Sequence, residues 1–102
     1  MAIRKSSQET FVVAGQRDEW LGRCKEALET QRFTRVAVSE ALFQVTANYK
    51  KLTTWGDIQV TLRPEGDTST RIDVEAHANI DNLFALFKSP GRTIINEFKR
   101  GL

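Results

Sequence analysis

Cysteine occurs once in the 102-residue chain, at Cys24, so no disulfide can form within it. Such usage suits a reducing compartment, and a cytoplasmic location is the expectation. No apolar run approaches the roughly 18 residues that a membrane-crossing helix requires. The opening Met1–Ser7 stretch carries charge but no apolar segment after it, so neither a signal peptide nor a transmembrane span is expected. Histidine also occurs once, at His77, and proline only at Pro64 and Pro90. The chain lacks G-x-G-x-x-G, P-loop, H-E-x-x-H, G-x-S-x-G and C-x-x-C spacings. Those absences remove the common signatures of nucleotide, zinc and acyl-transfer chemistry. A non-enzymatic protein with no cofactor and no metal is the expectation.

Charge of one sign is also scarce. Fifteen basic residues face 13 acidic ones, a net of +2. That balance permits contact with nucleic acid or an anionic membrane but supplies no argument for either. What is present is ordinary globular material, 40% hydrophobic and 27% charged, which separates it from disordered chains. The length suits one core, so residues 1–102 are expected to form a single α+β domain, with polar residues 1–7 flexible.

Hydrophobic periodicity orders that domain. Gln8–Ala14 reads as a first strand, closed by Gly15. A helix is expected from about Arg17 to Gln31, because Trp20, Leu21, Cys24, Ala27 and Leu28 share one helical face. Strands follow at Phe33–Val38, Leu42–Tyr49, Asp57–Arg63 and Thr70–Ala78. In the last two, Ile58, Val60 and Leu62, and then Ile72, Val74, Ala76 and Ala78, alternate with polar residues across a Pro64-Glu65-Gly66-Asp67 turn. The C-terminal portion returns to helix. Asp81 caps a short segment carrying Leu83, Phe84, Leu86 and Phe87. Ser89-Pro90 breaks it, and a second helix runs from Pro90 to about Arg100 with Ile94, Ile95 and Phe98 buried. The order is β-α-β-β-β-β-α: an antiparallel five-stranded sheet, helices packed on one face, and a last helix broken near Ser89-Pro90.

The stretch Thr54-Trp55-Gly56-Asp57-Ile58-Gln59-Val60 resembles the W-G-(D/E)-x-(I/V)-x-V strand start of small bacterial domains of unknown function. Those domains similarly open on a strand and an amphipathic helix, and close on an apolar helical segment such as Ile94–Phe98. The element order also resembles the TATA-binding-protein-like topology and a trimmed helix-grip domain of the kind that holds lipids or polyketides. The resemblance spans most of the chain. It implies a fold and an apolar ligand, and no catalytic residue.

Several residues can be read for function or for structure. His77 sits on the polar side of the last strand with Asp73 and Glu75, a cluster that suits cross-strand ion pairs with Arg63 better than catalysis. Cys24 lies on the apolar stripe, where a thiol acts as a small hydrophobe. The pairs Arg4-Lys5, Lys50-Lys51 and Lys99-Arg100 would make a basic patch only by converging, while Asp73 and Glu75 on the open sheet face repel phosphate. Nucleic-acid binding therefore ranks third. Leu83–Phe87 is the most informative run, because five successive apolar residues on a helix, about 100° apart, cannot all face one sheet. The leading expectation is an apolar or lipid-like ligand between the sheet and the C-terminal helix, lined by Trp20, Trp55, Phe84, Phe87, Ile94 and Phe98. The alternative is a protein-interaction module, homo- or hetero-oligomeric, built on Leu83–Phe87.

Overall fold

The alternating runs form strands, and the apolar stripes form the helices that cover them. In the computed structural model, which describes residues 3–51, 54–80 and 90–102, the elements are β1 (Ile3–Ala14), α1 (Arg17–Thr30), β2 (Thr34–Ser39), β3 (Gln44–Lys51), β4 (Thr54–Glu65), β5 (Ser69–Ile80) and α2 (Pro90–Arg100). They make one antiparallel sheet in the order β1-β5-β4-β3-β2, the expected α+β architecture. Segment 81–89, with Leu83–Phe87 and the break before Pro90, lies outside the described residues. The expected second helix starts at Pro90 as anticipated.

Strand ends differ from expectation because ladder pairing extends strands past their apolar cores. β1 begins at Ile3 rather than Gln8, since 3–7 pair residue by residue with β5 from Ile80 to Ala76. β4 likewise reaches back to Thr54, opposite Lys51 and Ile80.

β1 and β2 are the two edges, and α1 carries the chain from one to the other. Four strand spacings of ~4.8 Å make about 19 Å, and a 14-residue helix is about 21 Å long. The helix is therefore just long enough to cross the sheet. Its start is fixed at a corner built on Gly15, whose φ of 112° favours glycine. There the Gly15 N–H donates to the Thr68 carbonyl and the buried Thr70 hydroxyl donates to the Gly15 carbonyl, each at 2.8 Å. Its end is a Schellman closure with Arg32 in the left-handed region at φ 64°. The Arg32 N–H reaches Glu29 at 3.1 Å and the Phe33 N–H reaches Leu28 at 2.9 Å.

One sheet face is dry. Leu21, Cys24, Ala27 and Leu28 of α1 and Ile94, Ile95 and Phe98 of α2 are buried on inward residues of β3, β4 and β5. α2 is held to β1 by Glu9, whose carboxylate meets Arg92 at 2.9 Å and Lys99 at 2.6 Å. Two glycines let α2 come close. A Cβ on Gly91 would lie within 3.0 Å of Ser7, and one on Gly101 within 2.9 Å of Ala27.

Candidate ligand-binding site

The dry face is not uniform along its length. At one end the inward positions of the central strands are Val45, Val60, Leu62, Ile72 and Val74. At the other they are Ala47, Gly56, Ala76 and Ala78, interrupted by Ile58 and Tyr49. The pairings place Gly56 beside Ala78 and opposite Tyr49, and Ile58 between Ala76 and Ala47. Short side chains are gathered there, and all three alanines are buried. Gly56 is held to its identity by the close approach of the β5 backbone, since a Cβ would overlap the His77 carbonyl oxygen.

Tyr49 supplies the polar group at this end. Its ring packs on Phe33 at 5.4 Å with a 52° tilt. Its hydroxyl is pushed up to about 12 by burial first, then by its hydrogen bond to Glu97 and that carboxylate's charge. The contact ties β3 to α2 across the small-residue end.

The residues expected to line a pocket are distributed unevenly. Ile94 and Phe98 come together under α2 and have no exposed surface. Trp20 packs against the same core, but its indole N–H is committed to the Ala14 carbonyl at 2.7 Å and Arg23 lies 4.7 Å above the ring. It anchors the β1–α1 corner. Trp55 sits on the opposite, polar face, because it shares strand parity with Asp57, Gln59 and Thr61 and pairs with Lys50 and Asn79. It therefore does not join Ile94 and Phe98. Phe84 and Phe87 lie outside the described residues. Tyr49, Glu97 and the small-residue end were missed in the sequence. Alternation places Ala76 and Ala78 inward whatever their size, and Tyr49 follows the same parity as Val45 and Ala47.

The polar face is a solvated, ion-paired surface. Asp73 gathers Thr10 at 2.7 Å, Arg63 at 3.3 Å and Arg71 at 3.5 Å, the expected cross-strand pairing. His77 bridges Ser6 at 2.9 Å and Glu75 at 3.1 Å. The order Ser–His–Glu is reminiscent of a nucleophile relay. Here it lies across the paired strands β1 and β5 on the polar sheet face, an arrangement that cross-strand pairing accounts for. Cys24 is fully buried and its thiol is pushed up to about 12 by desolvation, which keeps it protonated and unreactive. Among the described residues no group of His, Cys, Asp and Glu is arranged to hold a metal, and no helix is long and apolar enough to cross a membrane.

No family model and no curated protein matches the sequence. Solved structures match the fold. A truncated norcoclaurine synthase from Thalictrum flavum shares 10% identity at a TM-score of 0.63, over 98% of this chain and 91% of that one. The structure of norcoclaurine synthase from that plant in complex with dopamine and hydroxybenzaldehyde gives 10% identity and a TM-score of 0.62, over 98% and 84%. At this identity the likeness shows the fold alone, a helix-grip-like antiparallel sheet with a C-terminal helix packed on it.

Proposed function

We propose that this chain is a non-enzymatic helix-grip domain that holds an apolar, lipid-like small molecule between its sheet and its C-terminal helical portion. The observation that carries this reading is the change from Val, Leu and Ile to Ala and Gly along one dry face. Small residues at one end of a close-packed face suit a partner that fills the space their side chains do not. A ligand at the small end would lie against Ala47, Gly56, Ala76 and Ala78, with the Tyr49–Glu97 pair on hand for a polar head. Support also comes from the fold counterpart, which was solved with two small aromatic molecules bound.

The test is a methyl-resolved NMR titration of the full chain with decanoate, laurate and palmitate. Saturable shifts at the Ala47, Ala76 and Ala78 methyls are expected, and Ala78→Leu should abolish them while the fold persists by circular dichroism. Unshifted methyls at saturating ligand, or undiminished binding by Ala78→Leu, would remove the reading. An interaction module is the second reading, favoured by the exposed Val38 and Leu42 at the β2–β3 connection. Sedimentation over a concentration series separates the two: the ligand reading expects a monomer, and reversible self-association favours the module.

A further inference from the structure

Trp55 and Trp20 differ in a way that the apolar site does not explain. Trp20 has its N–H bonded and a guanidinium over its ring. Trp55 is 37% exposed and no cation or aromatic ring stacks on it among the described residues. It lies in a surface cavity of about 380 Å³ with Arg35, Lys50, Asn48, Asn79 and Asp57 along its walls. Arg35 and Lys50 are exposed and have no ion-pair partner among the described residues.

The backbone at Arg35 is unusual too. Its φ is 52°, in the left-handed region, at the irregularity between Thr34 and Ala37 in the β2–β3 pairing. A bulge re-aims a side chain, and here the re-aimed residue is one of the two cations beside the tryptophan. Arginine has no intrinsic preference for that conformation, so the strain is held by the surrounding pairing.

We infer that the polar face carries a second ligand site, in which Trp55 stacks on a small planar aromatic anion whose charge is met by Arg35 and Lys50. Every aromatic ring system has a π-face for Trp55 to stack on. Guanidinium and ammonium donors match carboxylate or phosphate oxygens. Asn48, Asn79 and Asp57 supply donors and an acceptor for ring-edge groups. The cavity falls in the range of small-ligand sites, roughly 300–1,000 Å³. Asp57 in the cavity wall and Glu75 farther along the same face carry negative charge, which favours a ligand with one anionic group over a polymer track. Trp55 and both cations lie on the polar side of the sheet, Tyr49 and Gly56 also border the cavity, and the proposal stands whether or not the apolar site binds lipid.

The probes are adenosine monophosphate for a phosphate anion and indole-3-acetate for a carboxylate, titrated into the ¹⁵N-labelled full chain. The Trp55 indole N–H resonance should shift saturably with at least one probe, while that of Trp20 stays in place. The probe that saturates at lower concentration identifies the anion type. Arg35→Ala and Lys50→Ala should each weaken binding by roughly fivefold or more, the worth of one exposed charge-assisted contact. Trp55→Ala should remove it with the dispersion of the spectrum unchanged, and adenosine alone should bind more weakly than its monophosphate. Absence of any Trp55 shift with both probes overturns the inference. So does a shift that survives Arg35→Ala and Lys50→Ala together, or an oligonucleotide whose affinity climbs with length.

Discussion

The two faces of the sheet are built from the same strands, residue by alternate residue, and they solve opposite problems. The inward face excludes water, and where Val, Leu and Ile fill it a change of volume is costly. The outward face stays wet and holds its carboxylates by exposed pairs such as Asp73 with Arg63 and Arg71. A residue's parity along its strand therefore decides what substitution does to it more than its chemical type does. Trp55 and Tyr49 illustrate the point: both are aromatic, yet one reports to solvent and the other ties β3 to α2.

The sharpest way to break the comparison is to damage one face and leave the other alone. Phe98→Ala empties a fully buried site beneath α2 and should cost about 3–5 kcal/mol in urea unfolding. Alkali provides a second route. Cys24 is raised from 9.0 to about 12, so between those values the unfolded chain releases a proton that the native chain keeps. Stability should therefore fall as pH rises above about 9, by on the order of 4 kcal/mol at pH 12 from this group at 1.36 kcal/mol per unit. Denaturation series from pH 8 to 10.5 should show a flatter decline in Cys24→Ala. Gly56→Ala comes next, because its Cβ would overlap the β5 backbone at His77. A loss of about 2–3 kcal/mol is expected, read as a lower urea midpoint. On the wet face, Asp73→Asn should change stability by no more than about 1 kcal/mol, since its partners are exposed. The smallest effect belongs to Arg32→Gly, which relieves the left-handed strain after α1 and should raise the unfolding free energy by up to about 1 kcal/mol, read as a higher urea midpoint.

Much of this division was legible in the sequence. Alternation in 57–63 and 70–78 puts Ile58, Val60, Leu62, Ile72, Val74, Ala76 and Ala78 on the dry face, and the α2 stripe and all of the α1 stripe but the half-buried Trp20 are buried as the pattern predicts. Trp55 was misplaced for a definable reason. With β4 expected to start at Asp57, nothing carried its parity back two positions, although the extended ladder puts Trp55 with Asp57 on the wet side. The Arg35 irregularity left no trace in the residue pattern, because a bulge is a property of pairing and not of one strand. The Tyr49–Glu97 contact joins residues far apart in the chain, and only the packing of α2 brings them together.

The claim that the small-residue end of the dry face is a ligand site can be tested in one spectrum that watches both faces. Decanoate is added to the full chain with alanine methyls and tryptophan indoles labelled together. The account expects saturable shifts at Ala47, Ala76 and Ala78 with the Trp55 indole unmoved. Shifts confined to Trp55, or none at any alanine methyl, would contradict it.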